Sequence, residues 1–183
     1  MSGLLSRRNG RMLKRSIYLI LIAIPCILFG YQFWPEEKLP PKVRADAIRV
    51  TKHQRELTLF RKEKPLKTYR ISLGREPVGH KQQQGDCRTP EGHYVIDYRN
   101  PKSRYYLSLH ISYPSARDKE GARRRNVNPG SAIMIHGLPN SLGWVGRWHR
   151  LVDWTHGCIA VTNNEMDEIW RSVPNGTPIE ILP

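Results

Sequence analysis

Thr155-His156-Gly157-Cys158-Ile159-Ala160 is the stretch around which this chain is organised, and it begins eighteen residues after the pair His136-Gly137. A thiol attacks carbon efficiently only as its thiolate. Because a free cysteine has a pKa of about 8.5, it needs an imidazole or a cluster of backbone N–H groups to ionise near neutral pH. Both are available beside Cys158. The stretch therefore predicts a covalent catalyst with a cysteine nucleophile.

Two further stretches accompany this motif, namely Gly85-Asp86-Cys87-Arg88-Thr89-Pro90-Glu91-Gly92-His93-Tyr94 and Asp153-Trp154-Thr155. Together with the cysteine motif they resemble the signature of the L,D-transpeptidases, the YkuD family of peptidoglycan enzymes, from about Ala47 to Leu182. The chain departs from the family pattern in a slightly longer spacer and in Ala160, where many members carry an arginine. The resemblance implies a YkuD-like mixed β-sandwich and a role in peptidoglycan biosynthesis and cell shape.

The hydrophobic pattern points to the same fold class, mainly β with one or two helices (α+β). Period-two alternation or short apolar runs predict strands near residues 48–50, 57–59, 66–73, 94–98, 107–111, 132–135 and 179–181. A capping box from Thr162 to Glu165 begins the one clear helix, whose apolar face carries Met166, Ile169, Trp170 and Val173. The segment between Pro114 and Gly130 is expected to be a long connection. The catalytic domain is predicted to span residues 47–183.

The N-terminal segment has the pattern of a membrane anchor. No charged residue occurs from Ser16 to Pro35, a length that would span about 30 Å as a helix, and five basic residues precede it. The positive-inside rule then predicts a cytoplasmic basic tail at 1–15, a transmembrane helix at 16–35, a linker at 36–46 and a periplasmic catalytic domain at the inner membrane. A cleaved signal peptide is the alternative, although the small-x-small pattern that signal peptidase needs is missing.

Charge and cysteine content agree with export. The net charge is +14, and about +9 remains after the basic tail because 25 basic and 16 acidic residues follow it. This excess suits peptidoglycan stem peptides or anionic lipid head groups, or it serves solubility alone; export excludes nucleic acid in practice. Cys87 and Cys158 could pair outside the cytoplasm, but a disulfide would consume the expected nucleophile.

The resemblance implies a specific mechanism. Cys158 attacks the diaminopimelate carbonyl of a tetrapeptide stem, releases D-alanine and holds the stem as a thioester. An amine then takes the acyl group, either from a second stem, which gives a 3-3 cross-link, or from a lysine of an outer-membrane lipoprotein. His136 is the expected general base, oriented by the Gly137 carbonyl, while His156 shapes the pocket or is the alternative base. The backbone N–H groups of Gly157 and Cys158 are expected to bind the oxyanion.

Substrate-binding candidates are the aromatic residues that flank the motif strands and the basic run Arg123-Arg124-Arg125 in the connection between Pro114 and Gly130, although a charge run in a loop is usually only solvated. Aromatic side chains are typical of pocket walls, although core packing is the alternative for each of them. An arginine can bind a stem carboxylate through paired hydrogen bonds. The predicted set is Tyr113, Trp144, Trp154, Thr155 and Arg124. The polar residues around Pro90 are expected to form a structural turn.

Three other functions compete with acyl transfer to an amine. The same fold and thiol could pass the acyl group to water, as a peptidoglycan amidase or carboxypeptidase. A non-catalytic wall-binding module is a more remote alternative. A zinc hydrolase would use His136, His149, His156 and Cys158, but their spacings match no zinc motif. We therefore expect neither a metal nor another cofactor.

Overall fold

The computed structural model describes residues 2–183, with side chains described for 17–27 and 29–183. The chain divides into two compact units, Met1–Glu37 and Lys38–Pro183. The first unit contains helix α1 (Ser2–Phe33), which has Pro25 in its interior. Within the described part of the chain, no helix combines the length and hydropathy of a membrane span. The basic tail predicted at 1–15 lies outside the residues whose side chains are described.

The predicted linker at 36–46 differs from the structure. The second unit begins at Lys38, and Leu39 and Ala45 are both buried in its hydrophobic core. The backbone N–H of Ala45 donates a hydrogen bond of 2.9 Å to the carbonyl of Ser172. The apolar side chains of Leu39, Val43 and Ala45 therefore pack on the second unit, whereas the other residues of the segment are exposed.

Eight strands form one continuous sheet. They are β1 (Ala47–Thr51), β2 (Glu56–Arg61), β3 (Lys64–Arg70), β4 (Gly92–Ser103), β5 (Tyr106–Ile111), β6 (Met134–His136), β7 (Ile159–Ala160) and β8 (Pro178–Leu182). Their order in the sheet is β3-β2-β1-β8-β4-β5-β6-β7. The pairs β1–β8 and β6–β7 are parallel, and the others are antiparallel. The prediction of a mainly β fold with few helices is confirmed.

The two ends of this sheet come together. Just after β3, Ser72 forms an antiparallel bridge with Ala160 in β7, and Gly74 forms a parallel bridge with Thr155. Backbone hydrogen bonds of 3.0 and 2.8 Å join Ser72 and Ala160 in both directions. The closure places residues 72–75 directly beside the segment that carries Cys158.

Three helical segments follow the strands of the second half. Helix α2 (Ala116–Arg124) has a capping box between Ser115 and Asp118, and it occupies part of the segment predicted as a long connection. Gly143–Leu151 is a 3-10 segment interrupted by a kink at Gly146, whose backbone is not helical. Helix α3 (Asn163–Ser172) has the predicted capping box of Thr162 and Glu165. The side chains of Met166 and Ile169 in this helix, and of Val173 directly after it, are fully buried, so the helix closes one side of the core.

Candidate active site

Cys158 ends a tight turn of residues 155–158, here called the cysteine turn. The buried Thr155 hydroxyl donates a hydrogen bond of 2.7 Å to the Cys158 carbonyl and accepts one of 3.1 Å from the Gly157 N–H. The Gly157 N–H was predicted to bind an oxyanion, but in the structure it already has this partner. The threonine side chain therefore stabilises the turn, and it occupies the Gly157 N–H that was predicted to bind the oxyanion.

Gly157 is required at its position for two reasons. Its φ of +120° is a conformation that residues with a side chain rarely adopt, and a Cβ there would lie 2.5 Å from the carbonyl oxygen of Arg88. The backbone is equally crowded at Gly74, where a Cβ would lie 1.9 Å from the carbonyl oxygen of Cys87 and 3.0 Å from the Cα of Gly157. The Gly-Asp-Cys-Arg-Thr-Pro stretch thus packs directly behind the cysteine turn.

The loop of residues 79–91, here called the supporting loop, is held by two buried lysines. The Lys52 ammonium donates to the carbonyls of Gly79 and Thr89 and to the Glu91 carboxylate, at 2.6, 3.1 and 2.7 Å. Burial lowers the pKa of Lys52, and Glu91 partly opposes this. Because Lys52 directly follows β1, its buried ammonium joins both ends of the supporting loop to the end of that strand.

The second buried lysine lies inside the supporting loop. Lys81 donates a hydrogen bond of 2.7 Å to Asp86, whose carboxylate also accepts the N–H groups of Gln82, Gln83 and Arg88. Burial opposes ionisation of Asp86, but Lys81 and these N–H groups outweigh it and hold the pKa of the carboxyl below its ordinary value. Asp86 is therefore part of a structural network that shapes the loop behind the cysteine turn.

His136 ends β6 and is almost fully buried, with 4% of its surface exposed. Its Nδ1 lies 2.6 Å from the Gly137 carbonyl oxygen. Because a carbonyl can only accept, Nδ1 carries the proton and Nε2 keeps a lone pair. Burial lowers the pKa of His136 to about 4, with a small opposing effect from the Gly137 carbonyl. The imidazole is thus neutral at neutral pH and able to accept a proton at Nε2.

Asn163, the first residue of α3, holds the turn that follows His136. Its Oδ1 accepts a hydrogen bond of 2.8 Å from the N–H of Leu138. A Cβ at Gly137 would lie 2.7 Å from the same oxygen, so the turn and the amide fit closely. The helix that begins beyond the cysteine therefore positions the carbonyl that orients His136.

Two aromatic side chains enclose the His136 ring. The Tyr105 ring lies 4.5 Å from it, and the Trp154 ring lies 5.8 Å away in an edge-to-face arrangement. Trp154 Nε1 is 3.5 Å from Nδ1 of His149, which also lies 3.0 Å from the Ser72 hydroxyl. Sequence reasoning missed Tyr105, because an isolated tyrosine in a hairpin carries no motif.

A cavity of about 450 Å³ lies beside Cys158. It is lined by Arg75, Asn100, Ser103, Arg104, Tyr105, Ser108, Ala132, Met134, His136, Trp154, Thr155, His156 and Cys158. Five of the residues predicted from the sequence meet here: the cysteine, both motif histidines, Trp154 and Thr155. His156 is exposed at the cavity wall, whereas His136 lies at its buried side.

The Cys158 thiol is protonated at rest. Its Sγ lies 3.6 Å from the carbonyl oxygen of Ala132, to which the thiol donates. Burial raises the pKa of Cys158, while the Met134 N–H and the charge of Lys81 act in the opposite direction. The cysteines at 26, 87 and 158 are all free thiols. The arrangement therefore contains a neutral thiol and a neutral imidazole in one cavity.

The other predicted substrate-binding residues lie elsewhere. Tyr113 is buried in the core, and its hydroxyl donates to the carbonyl of Pro129 at 2.8 Å. Trp144 is 70% exposed in the 3-10 helix, outside the lining of the cavity. Arg124 pairs with Glu120 one turn earlier in α2 and lines a separate cavity of about 910 Å³. Arg124 lies in α2 and Trp144 in the 3-10 segment, and neither of these helices is predicted from the sequence.

No group of three or more candidate metal ligands occurs among the described side chains. His149, one of the four residues considered for zinc, instead contacts Ser72 and Trp154 beneath the cavity.

Comparisons with known proteins agree with this geometry. The sequence model of the YkuD L,D-transpeptidase catalytic domain matches residues 45–181. The protein named "Putative L,D-transpeptidase YafK" from Escherichia coli K12 is 29% identical over 177 residues, which cover 88% of this chain and 64% of that protein. The chain thus spans a little less than two thirds of the length of this curated relative.

Solved structures show the same fold. The helical cell shape determining protein Pgp2 from Campylobacter jejuni superposes with a TM-score of 0.56 at 22% identity, over 76% of this chain and 48% of that one. Bd1075 from Bdellovibrio bacteriovorus gives a TM-score of 0.53 at 27% identity, over 79% and 50% of the two chains. Both matches cover about half of the solved protein.

Proposed function

The chain belongs to the YkuD family of L,D-transpeptidase catalytic domains, and on this premise we propose that it transfers acyl groups of peptidoglycan stem peptides through a thioester on Cys158. One observation carries the proposal: Cys158 and His136 line the same cavity, and the Gly137 carbonyl holds the imidazole with Nε2 available as a base. A thiol and a base oriented by a third group form the minimal arrangement for nucleophilic catalysis.

The resting protonation states define the first step. Because thiol and imidazole are both neutral, His136 takes the thiol proton as Sγ attacks the carbonyl carbon of diaminopimelate. Because burial lowers the pKa of His136 to about 4, the resulting imidazolium is more acidic than an exposed one. It therefore returns the proton readily to the nitrogen of D-alanine, whose bond to the carbonyl carbon breaks as the tetrahedral intermediate collapses. The products are free D-alanine and a thioester on Cys158.

The oxyanion of that intermediate needs a hydrogen-bond donor. Since the Gly157 N–H already donates to Thr155, we assign this role to the N–H of Cys158 itself. Thr155 then contributes indirectly, because its hydroxyl fixes the conformation of the cysteine turn. Loss of one oxyanion donor generally costs about 10²–10³ in rate.

The second half of the reaction regenerates the thiol. His136, neutral again, removes a proton from the amine that attacks the thioester, and the imidazolium protonates the departing thiolate. The acceptor is an amine of a second stem, which yields a 3-3 cross-link, or a lysine of an outer-membrane lipoprotein. Water in place of the amine would make the enzyme a peptidoglycan hydrolase.

Mass spectrometry of the protein incubated with tetrapeptide muropeptides tests the mechanism. We expect a mass increase at Cys158 that matches the tripeptide acyl group, together with release of D-alanine. Cys158→Ala should abolish both, whereas the control Cys87→Ala should retain both. D-alanine release that persists in Cys158→Ala would contradict the thioester. Cross-linked dimers among the products indicate an amine acceptor, and tripeptides indicate water.

A pair of histidine variants tests the base. His136→Ala should lower the reactivity of Cys158 towards a thiol probe at neutral pH, and His156→Ala should lower it much less, because His156 is exposed and forms only the wall of the cavity. The reverse ranking would assign the base to His156.

We further propose that residues 16–35 anchor the protein in the inner membrane, with the catalytic unit in the periplasm. The support is the absence of charge in this segment and the five basic residues before it. In a cell fractionation, the chain should stay with membranes after alkaline carbonate extraction, and external protease should digest the catalytic unit in spheroplasts. Extraction of the chain into the soluble fraction would contradict the anchor.

A further inference from the structure

The cavity over Cys158 has an unusual charge composition. Among the described residues that line it, Arg75 and Arg104 are arginines, and none is an aspartate or glutamate. A concave site lined by charges of one sign concentrates the electrostatic potential and attracts ligands of opposite sign. The cavity is therefore suited to a substrate with ionised carboxylates.

These two guanidinium groups differ from most arginines on this unit. Arg49, Arg55 and Arg124, for example, form ion pairs with Glu180, Asp153 and Glu120 respectively. The guanidinium groups of Arg75 and Arg104 form no hydrogen bond or ion pair with any described residue. Both side chains are exposed, so their donors are available to a ligand.

Backbone contacts fix each arginine relative to a different catalytic group. The N–H of Arg75 donates a hydrogen bond of 3.1 Å to the carbonyl of Thr155, so Arg75 lies beside the cysteine turn. The carbonyl of Arg104 accepts a hydrogen bond of 3.1 Å from Asn140, and the next residue, Tyr105, packs on His136. Arg75 thus stands on the side of the nucleophile and Arg104 on the side of the base.

The direction of the reaction relates these positions to the substrate. The leaving nitrogen must reach Nε2 of His136 to receive a proton, so the leaving D-alanine lies on the side of the base. The acyl part remains on the cysteine and lies on the side of the cysteine turn. Ala160 is fully buried in β7 and contributes no polar group, so these two arginines supply the positive charge of the cavity.

We propose that Arg104 binds the terminal carboxylate of the leaving D-alanine, and that Arg75 binds the free carboxylate of the diaminopimelate side chain. The enzyme would then select stems whose two carboxylates are free over stems in which either is amidated. This inference rests on the proposed function, because it assumes that Cys158 attacks the diaminopimelate carbonyl. A guanidinium pairs with a carboxylate through two parallel hydrogen bonds, which a neutral amide cannot accept in the same way.

The test compares three tetrapeptide donors on the full-length protein: the free acid, the D-alanine amide and the diaminopimelate amide. For the wild type, each amide should lower kcat/KM for release of the C-terminal residue by about 10- to 100-fold, as expected for loss of a charge-assisted hydrogen bond. Arg104→Gln should remove only the discrimination against the D-alanine amide. Arg75→Gln should remove only the discrimination against the diaminopimelate amide.

Arg124→Gln serves as the matched control, because Arg124 lies in a separate cavity, and it should leave both ratios unchanged. Equal turnover of acid and amide by the wild type would overturn the inference. So would variants that lower kcat/KM equally for all three donors, since that pattern indicates a structural role.

Binding to the Cys158→Ala variant separates this inference from the proposed function. Calorimetry of that variant with the three peptides measures recognition without chemistry, and the free acid should bind about tenfold more tightly than either amide. Selective binding without D-alanine release by the wild type would leave the arginine assignment standing and refute the acyl transfer. D-alanine release by the wild type, without selectivity in binding or turnover, would support the acyl transfer and refute the arginine assignment.

Discussion

Acidification from pH 7 to pH 5 should destabilise the folded protein by about 4 kcal/mol through two buried histidines. Burial lowers the pKa of His136 to about 4. Burial, reinforced by Arg150 and His136, lowers the pKa of His149 to about 3. Nε2 of His149 has no hydrogen-bond partner among the described residues, which fits an imidazole that is costly to protonate. Both rings are therefore neutral in the folded chain.

The magnitude follows from proton linkage. An unfolded histidine has a pKa of about 6.5, so below that pH the unfolded chain binds protons that the folded chain excludes. Folding lowers the pKa of each histidine. Each one therefore leaves the stability of the folded chain intact above pH 6.5 and reduces it as the pH falls towards the folded pKa. At pH 5 the loss is about 2 kcal/mol for each of His136 and His149, because the unfolded chain is nearly fully protonated there.

Urea unfolding at pH 7 and pH 5 measures this loss directly. His136→Gln and His149→Gln should each remove about 2 kcal/mol of the difference between the two pH values, whatever their effect at pH 7. His93→Gln is the control, because its side chain is 82% exposed and should leave the difference unchanged. A wild-type stability that is equal at both pH values, or a difference that neither variant reduces, would refute the reasoning.

Four further predictions follow from the site. Alkylation of Cys158 by iodoacetamide should keep accelerating from pH 7 to pH 9, because burial raises the thiol pKa; a rate independent of pH in this range would indicate a resting thiolate. Gly157→Ala should cost about 1–3 kcal/mol in urea unfolding and lower acylation, since φ is +120°; unchanged stability contradicts this. Lys52→Met should cost about 3 kcal/mol by leaving Glu91 without its partner, and adding Glu91→Gln should restore part of it. Asn163→Ala should lower kcat more than it raises KM in D-alanine release, because it frees the turn after the base; an unchanged kcat would contradict this.

The site residues predicted from the sequence differ in where the structure places them. Cys158, His136 and Trp154 line one cavity. Each belongs to a short motif, and these motifs lie at the end of a strand or at a tight turn. Arg124, by contrast, belongs to a run of three arginines, and such a run does not indicate which surface its side chains face. Arg75 and Arg104 replace it at the cavity, although neither belongs to a charge cluster in the sequence.

Secondary structure shows the same division. The capping box that begins α3 was recognised because a run of apolar residues at helical spacing follows it. The box of Ser115 and Asp118 that begins α2 was missed, since α2 is short and largely polar and resembles a connection. That box was a readable signal, and it would have moved Arg124 from a loop to a helix face.

What the sequence determined by itself is local. Alternation of apolar residues predicts strands, a capping box predicts a helix start, and the order Thr-His-Gly-Cys indicates the nucleophile, because each depends on neighbours a few residues apart. The tertiary structure alone decided that the C-terminal β8 lies between β1 and β4, and that the bridges of Ser72 and Gly74 bring Arg75 beside the cysteine turn. Such pairings join residues tens to more than a hundred positions apart. They are selected by the burial of the whole core and the pairing of all backbone groups at once, which no local pattern encodes.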